Sequence, residues 1–462
     1  MTESAIVLIY LLLVLFIGLL AGRNIQDMRD FALAGKSFGF LVIFATLSAS
    51  FIGGGFSMGN AEKVYLAGIS NIVALWGFSL KELWVARYVA PRMAHYPDAI
   101  SVGDIMEPHY GRGARIFSGI FAIALCAGIL GAQIGAMGYV FHIFLGLEPI
   151  WGILLGCGIV IAYSTAGGMR SVVWTDVMQF VILAVGIPLT LYFGLQYIGG
   201  WQVLTETVPS THLSLPTEPL MLLALLSLFL TFMLGETLVP PYLQRLLIGR
   251  ENRDVVRGSL LSGLFSIPFF AVTGLIGLVA LVMQPDMNAN LAMPFVIQEA
   301  VPPVLQGIVA AAIISIIMSS ADSFLNAASI SFSNDVLRPL RHQPISDRAE
   351  LRLARATTLV IGVVAVIFAI SIDSVIDILI MAYNFWAPTV LVPLAMAILG
   401  GYVSQKRFVF GAVAGISVAL IWNGLLSGPW QVDGLVLGTL ANLLAFISVD
   451  RQAAKRHAHT AV

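Results

Sequence analysis

The sequence predicts an all-α polytopic membrane protein, and three observations support this fold class. Of its 462 residues, 58% are hydrophobic and only 11% are charged, whereas an average soluble domain carries about 25% charged residues. The mean hydropathy is +0.92. Thirteen apolar segments are long enough to approach the roughly 20 residues that a helix needs to cross the hydrocarbon core.

These thirteen segments define the expected order of the transmembrane helices. An odd number of spans places the two termini on opposite sides of the membrane. The approximate limits are 4–22, 39–66, 69–90, 116–144, 149–166, 172–198, 220–247, 256–283, 304–334, 354–372, 375–400, 408–426 and 432–449.

The distribution of basic residues sets the expected orientation. All but two of the 24 Lys and Arg residues lie in the tail after the last predicted span or in and beside alternate loops that would share one face of the membrane. The exceptions are Lys63 and Lys81. Because cytoplasmic loops carry this excess of positive charge, we expect a multi-pass protein of the bacterial inner membrane with its N-terminus outside and its C-terminus in the cytoplasm.

Other function classes find little support in the residues. The net charge of −1 leaves no basic domain for nucleic acid. Cys126 and Cys157 lie in apolar segments without a CxxC or Cys/His metal spacing. Of the seven His, only His142 falls in a predicted span, so we expect no enzyme and no organic cofactor. The expected partners are a small-molecule solute and the lipid bilayer, and no segment indicates an obligatory protein partner.

Two apolar segments are interrupted near their middle by residues that break helices. One interruption is Gly53–Gly55 and the other contains Pro240 and Pro241. Glycine weakens a helix by about 1 kcal/mol relative to alanine, and proline by about 3 kcal/mol. The freed backbone groups persist in a bilayer only where protein or a watery cavity surrounds them. Paired breaks therefore predict a transporter's binding site, although glycines also permit close helix packing.

The positions of the breaks predict a repeat. If the leading span is omitted, the breaks fall in core helices 1 and 6, and a unit of five spans inverts the orientation of the unit that follows it. We expect residues 1–36 to form the leading helix and first cytoplasmic loop, 37–199 the first five-helix repeat, 200–403 the inverted repeat, and 404–462 two peripheral helices and a short cytoplasmic tail.

A polar cluster lies inside the predicted span 304–334. Ser319, Asp322 and Ser323 have i, i+3, i+4 spacing and therefore share one helical face. A carboxylate within the membrane indicates a functional site by default, and a broken helix nearby supplies carbonyl oxygens that can coordinate Na⁺. The alternative is that the serines bond to carbonyls of their own helix.

Two motifs resemble the sodium:solute symporter family over about residues 1–445. They read Tyr163-Ser-Thr-Ala-Gly-Gly-Met-Arg-Ser-Val-Val-Trp-Thr-Asp-Val-Met-Gln179 and Met318-Ser-Ser-Ala-Asp-Ser-Phe-Leu325. The segments Gly53–Tyr65 and Tyr242–Arg245 are most similar to the high-affinity choline transporter branch. The resemblance implies a five-plus-five inverted-repeat fold of the LeuT type with 13 transmembrane helices, and sodium-coupled symport of a small polar organic solute by alternating access.

The resemblance also implies where Na⁺ binds. A site shared by the family lies between core helices 1 and 8, and the matching positions are the carbonyls of Ala49, Ile52 and Ile316 with the hydroxyls of Ser319 and Ser320. Some members have a second cation site, whose matching positions are Asp176, Ser319, Asp322 and Ser323. One or two Na⁺ are therefore expected. The two carboxylates could instead share a proton, and Asp176 could instead be a cytoplasmic helix cap.

The substrate is expected beside the breaks, near the middle of the membrane. In the choline branch, aromatic rings surround the quaternary ammonium through cation–π contacts. Phe51 and Phe78 stand at two of these positions, but Val239 and Ile129 stand at the other two. This departure argues against choline itself.

Glu236 stands in the second break, where the choline branch has glycine. It could bind a substrate ammonium, carry a proton, or pair with Lys81 or with freed backbone amides. The other candidate substrate residues are Gln133, Tyr383, Asn384 and Trp386. We expect a nitrogen-containing cation or zwitterion that resembles choline, betaine or an amino acid, with a zwitterion favoured over choline itself. A neutral or anionic solute, or a membrane receptor that binds solute without transport, remains the alternative.

Overall fold

The computed structural model describes residues 2–341, 346–371 and 383–449, and every regular element in these ranges is helical. The helices, several of which continue into short π-helical or 3₁₀ turns, are α1 (Thr2–Ala21), α2 (Met28–Leu33), α3 (Phe40–Phe51), α4 (Gly54–Ala67), α5 (Ser70–Trp84), α6 (Val102–Tyr110), α7 (Arg112–Leu145), α8 (Pro149–Ile198), α9 (Trp201–Thr207), α10 (Pro219–Gly235), α11 (Pro240–Leu247), α12 (Asn252–Met283), α13 (Ala292–Ala300), α14 (Pro303–Ile330), α15 (Arg338–Leu340), α16 (Asp347–Ser371), α17 (Tyr383–Leu399), α18 (Gln405–Leu420) and α19 (Gly434–Ser448).

Each predicted span overlaps at least one of these helices, and the spans 149–166 and 172–198 both fall in α8. Among the described residues, six helices are long and apolar enough to cross a membrane, or up to eight if each bent pair forms one span. Helices α17 and α19 are apolar but shorter than 18 residues, and α5 has 15 residues. The count of thirteen spans therefore stays a prediction, and the basic tail beyond residue 449 lies outside the described residues.

Both predicted breaks are confirmed. Helices α3 and α4 meet at 54°, and helices α10 and α11 meet at 50°. In the first break the backbone leaves helical geometry at Ile52 (ψ 69°) and is extended at Gly53. In the second break Leu238 has a positive φ of 56°, and the proline pair opens α11. Proline is tolerated at this position because the first turn of a helix does not use its amide donors.

The connection between the fifth and sixth predicted spans differs from expectation. In place of a short loop, α8 runs for 50 residues with one non-helical residue, Gly168, at φ 49° and ψ −136°. A Cβ on Gly168 would lie 2.4 Å from the carbonyl oxygen of Phe31. Glycine allows this kink, because it alone accepts both this backbone conformation and this close approach.

Helix α14 lies at the centre of the fold and is buried along nearly its whole length. It packs against α1, α7 and α8, while α12 packs against α3, α4 and α5. The half-helix α11 contacts both α3 and α14. The two breaks therefore face the central helix. Helices α1 and α18 are largely exposed and present apolar side chains outward, as lipid-facing helices do.

Candidate functional site

The first break brings backbone carbonyls of α3 against hydroxyls of α14. Ser319 Oγ donates to the carbonyl of Ala49 at 2.8 Å, and it lies 3.3 Å from the carbonyl of Ile316. Ser320 Oγ donates to the carbonyl of Ser50 at 2.9 Å. Ser319 and Ser320 are almost completely buried. The alternative that the serines bond to carbonyls of their own helix holds in part, because Ser323 Oγ donates to the carbonyl of Ser319 at 2.6 Å, but Ser319 and Ser320 also reach across to α3.

Gly53 and Gln133 shape the same break. A Cβ on Gly53 would lie 2.9 Å from Ser320 Oγ and 3.1 Å from Gln133 Nε2, so any larger residue would displace these side chains from their present positions. Gln133 Oε1 accepts a hydrogen bond from the amide of Gly54 at 3.2 Å. This bond satisfies one of the amides that every helix leaves free at its N-terminus. Gln133, which was predicted to contact substrate, thus lies at the start of α4.

The donor atoms at this break suit a small hard cation. Such cations take carbonyl, hydroxyl and carboxylate oxygens, and unwound backbone coordinates Na⁺ in transporters with broken helices. The structure brings together three of the five predicted positions through direct hydrogen bonds: Ala49, Ile316 and Ser319. Ile52 lies buried in the break itself. Ser50, whose carbonyl binds Ser320, was not predicted.

Asp176 lies in the middle of α8 and is fully buried, so its alternative role as a cytoplasmic helix cap is wrong. Its Oδ2 atom accepts hydrogen bonds from the hydroxyl of Thr46 at 2.5 Å and from Arg245 at 2.9 Å. Asp322, also fully buried, accepts from the hydroxyl of Tyr163 at 2.5 Å. The two carboxylates thus accept hydrogen bonds from different donors: Asp176 from Thr46 and Arg245, and Asp322 from Tyr163.

Arg245 lies in this cluster of buried polar groups, and its position there was not predicted from the sequence. It was counted among the cytoplasmic basic residues, yet its side chain is fully buried. Its Nη2 atom donates to Asp176 Oδ2 at 2.9 Å and to Ser323 Oγ at 2.5 Å, and Nε donates to Thr46 Oγ1 at 3.0 Å. The guanidinium therefore lies among the residues predicted to form the second cation site. The motif Tyr242–Arg245 was the available signal, because it placed Arg245 one helical turn from an aromatic residue of the break.

An aromatic cluster lies beside both breaks. The ring centroids of Phe51 and Phe78 are 4.6 Å apart, and each lies 6.3 Å from the centroid of Tyr242. The cation on these rings belongs to the protein itself. Lys81 Nζ lies 3.5 Å from the Phe78 centroid and 4.9 Å from the Tyr242 centroid, and it pairs with Glu82 at 2.5 Å. Lys81 is 1% exposed.

Glu236 occupies the second break and is almost fully buried. Its carboxylate accepts hydrogen bonds from the hydroxyl of Tyr242 at 2.6 Å and from the hydroxyl of Tyr383. Within the described part of the chain, Glu236 forms no ion pair, and Lys81 pairs with Glu82 instead. The structure therefore does not show the ion pair between Glu236 and Lys81 that was one of the alternatives for Glu236.

The remaining substrate candidates lie on α17. Trp386 is fully buried, and its Nε1 atom donates to the carbonyl of Thr237 in the second break at 3.2 Å. Asn384 Oδ1 instead accepts from Asn423 of the π-helical turn after α18, at 3.1 Å. Glu236, Tyr383 and Trp386 thus form one group at the second break, whereas the described bond of Asn384 points toward the peripheral helices.

One cavity lies on the face that the charge distribution predicts to be external. Its volume is about 870 Å³, and Lys63, Asn71, Glu218 and Gln431 are among its lining residues. Beneath the aromatic cluster, the space beside Lys81 and Glu82 is only about 10 Å³. The region around the rings is thus tightly packed, while the predicted external face is open.

Comparison with known proteins identifies the family of this chain. A model of the sodium:solute symporter family matches residues 31–418. The high-affinity choline transporter 1 of Drosophila melanogaster is 26% identical over 83% of this chain, which corresponds to 63% of that transporter's length. The high-affinity proline transporter PutP of Bacillus subtilis is 23% identical over 95% of this chain and 96% of its own. Sodium/glucose cotransporter 4 of Danio rerio is 23% identical over 91% and 71%.

Solved structures agree on the fold. A Na⁺-coupled sialic acid symporter in a substrate-bound outward-open state superimposes with a TM-score of 0.85, at 18% identity and with 98% of each chain covered. A nucleobase-cation-symport-1 family transporter matches with a TM-score of 0.57, at 14% identity, over 91% of this chain and 94% of its own. These proteins are transporters and not enzymes. With the broken helices, the buried polar cluster and the family match over most of its length, this chain is an integral membrane protein that belongs to the sodium:solute symporter family.

Proposed function

We propose that this protein is a secondary active symporter that uses the Na⁺ gradient to import a small polar solute carrying a nitrogen cation. The contacts of Ser319 and Ser320 with the carbonyls of Ala49 and Ser50 carry the sodium part of the proposal. An ion held by both α3 and α14 would bind best when these helices are close together. A ligand shifts a conformational equilibrium only through such a difference in affinity.

Glu236 carries the proposal for the charge of the solute. Three charged side chains lie near the aromatic cluster, and Lys81 and Glu82 neutralise each other. Among the described residues, the partners of the Glu236 carboxylate are tyrosine hydroxyls, which leaves one negative charge in the group. Because a buried charge is costly unless it is paired, a solute ammonium beside Glu236 would complete the charge balance. Names of two relatives, the choline and proline transporters, refer to nitrogen-containing solutes.

The test is uptake of a radiolabelled solute panel into proteoliposomes, driven by an inward Na⁺ gradient. The panel contains choline, betaine, amino acids, sugars and simple carboxylates. We expect amines or zwitterions to be transported, and Glu236→Gln to weaken their apparent affinity by about 1 to 3 kcal/mol, the cost of losing a charged hydrogen-bonding partner. Transport of sugars or simple carboxylates alone would exclude the proposed solute class, and solute binding without any uptake would indicate a receptor.

One observation favours a second solute class. The ammonium of Lys81 already occupies the rings of Phe78 and Tyr242, so these rings would not receive a solute cation unless Lys81 moved. A neutral or anionic solute would then bind beside Lys81, and relatives that include a sodium/glucose cotransporter fit this alternative. Lys81→Met separates the two classes, because it should weaken a carboxylate solute and spare an amine.

The proposal includes the architecture around the site. We infer two inverted five-helix units over residues 37–199 and 200–403, preceded by α1 and followed by α18 and α19. The similarity to the sialic acid symporter fold supports this arrangement. The N-terminus would face the outside of a bacterial inner membrane and the C-terminus the cytoplasm, as the charge distribution indicates.

A further inference from the structure

Arg245 places a permanent positive charge beside Asp176 and Ser323, two of the positions that match the second cation site of some family members. Its guanidinium is fully buried within the membrane-spanning region, and its only ion-pair partner among the described residues is Asp176. Arginine stays protonated in proteins under all ordinary conditions. A buried charge of this kind persists only when it is paired and hydrogen-bonded, and Arg245 meets both requirements.

The guanidinium uses the same oxygen atoms that a second cation would need. Nη2 contacts both Asp176 Oδ2 and Ser323 Oγ, at 2.9 Å and 2.5 Å. Nε binds the hydroxyl of Thr46 at 3.0 Å, and Nη1 binds the carbonyl of Pro241 at 2.9 Å. Three of these hydrogen bonds therefore connect α11 to α3, α8 and α14, and the fourth lies within α11. A Na⁺ among these oxygens would meet the positive charge of the guanidinium directly.

We propose that Arg245 is a tethered cation that fills the second cation site, so that this protein binds a single Na⁺ at the site between α3 and α14. This inference rests on the proposed sodium-coupled function. It replaces the expectation of one or two ions by a definite number. Because Arg245 is part of the chain and cannot be released, it contributes positive charge to the site without transporting any.

Asp322 does not restore the second ion site. Its Oδ2 atom accepts from the hydroxyl of Tyr163 at 2.5 Å and lies 3.4 Å from the hydroxyl of Thr175. Its Oδ1 atom lies 3.1 Å from Ser323 Oγ. Hydroxyl groups of α8 and α14 thus surround this carboxyl. Of the four oxygens of these two carboxylates, Asp176 Oδ1 has no hydrogen-bonding partner among the described residues, which makes it the place to look for an extra ion if the proposal is wrong.

The experiment is equilibrium binding of ²²Na⁺ to the purified full-length protein in detergent, with no solute present. We expect one bound ion per chain and a Hill coefficient of about 1. This binding should be lost or weakened several-fold in Ser319→Ala and Ser320→Ala. Two bound ions in the wild type would overturn the tethered-cation proposal and leave sodium coupling intact. Asp176 Oδ1 would then be the candidate ligand of the second ion. No bound ion would overturn both proposals.

A variant tests the same point by removing the charge. Arg245→Gln should expose Asp176 and Ser323 to a second Na⁺, so that the count rises to two and the Hill coefficient exceeds 1. A folded Arg245→Gln that still binds one ion with unchanged affinity would contradict the proposal. Arg407→Gln is the matched control, because Arg407 is also buried but bonds to the backbone carbonyls of Tyr402 and Val449. It should leave the count at one. If Arg245→Gln does not fold, the wild-type count decides alone.

Discussion

Ser319 and Ser320 are adjacent residues, yet both hydroxyls reach carbonyls of α3 at the same break. Each hydroxyl would supply one of the oxygens around Na⁺. We expect Ser319→Ala and Ser320→Ala each to raise the Na⁺ concentration that gives half-maximal uptake by roughly five-fold, which corresponds to about 1 kcal/mol for one lost hydrogen-bonding or ligand group. Sodium titration of solute uptake in proteoliposomes measures this value.

The matched control for these two variants is Ser329→Ala. Ser329 lies on the same helix and is equally buried, but its hydroxyl donates to the carbonyl of Ala354 on α16 at 2.9 Å. Its removal should affect stability without changing the dependence on Na⁺. If both test variants retained the wild-type half-saturation value, the assignment of the ion site to this break would have to be abandoned.

At the level of single residues, the sequence predicted groups that share a helix better than groups that come from different helices. The i, i+3, i+4 spacing of Ser319, Asp322 and Ser323 follows from helical geometry alone. The positions of Arg245 and Lys81 do not, because a basic residue near the end of an apolar segment usually faces the cytoplasm or extends to the interface. Only the folded structure shows that both side chains are buried, with Arg245 paired to Asp176 of another helix and Lys81 lying over the ring of Tyr242.

At the level of elements, the first break depends on glycine for a specific steric reason. A methyl group on Gly53 would come within 2.9 Å of Ser320 Oγ, whereas a methyl group on Gly55 would meet nothing within 4 Å. Ser320 is the end of a short side chain and can turn away. We therefore expect Gly53→Ala to weaken the apparent Na⁺ affinity severalfold while the protein still folds, and Gly55→Ala to behave like the wild type. Equal sodium dependence in the two variants would contradict this account of the break.

The kink of α8 offers a test of folding instead of ion binding. Gly168 combines a positive φ with a backbone contact to Phe31, and such strain costs on the order of 1 to 3 kcal/mol for a residue with a Cβ. We expect Gly168→Ala to lower the melting temperature of the detergent-solubilised protein by several degrees. Gly158→Ala, in the same helix with open space around it, should be neutral or stabilising. A Gly168→Ala protein as stable as the wild type would show that alanine fits at the kink and that glycine is not required there.

Breaks and kinks were predictable to different degrees because they have different sequence signals. Three consecutive glycines and a proline pair disrupt helices by themselves, so both broken helices could be located from the sequence. Gly167 and Gly168 were part of a family motif, but hydropathy alone places a loop around Arg170. The structure shows that one residue with positive φ is sufficient for the turn. A loop and a sharp kink look alike in hydropathy, because both interrupt the apolar pattern for only a few residues.

For the whole molecule, composition predicted the class of protein, while the partition of polar groups determined where the site lies. The apolar surface of peripheral helices gives no information about function, since lipid requires it of any such protein. Several buried charges do: Lys81, Asp176 and Asp322 lie on helices that contact the broken helices, and Glu236 and Arg245 lie in or beside the second break. The solute could not be identified in the same way. Its proposed site combines the negative charge of Glu236, the positive charge of Lys81 and aromatic rings, and whether this site favours a cation or an anion depends on distances that the sequence does not give.

The last prediction concerns orientation, on which the proposed direction of transport depends. Cytoplasmic loops of membrane proteins are rich in Lys and Arg, which places Arg253, at the start of α12, inside and Thr217, before α10, outside. Both residues are exposed, and the native Cys126 and Cys157 are buried, so single cysteines introduced at 217 and 253 should report without background. We expect a membrane-impermeant maleimide to label Thr217→Cys in intact cells and Arg253→Cys only after the membrane is opened. The reverse pattern would invert the protein in the membrane, and the large cavity lined by Asn71 and Glu218 would then open to the cytoplasm, which would make it a route for release of the solute instead of its entry.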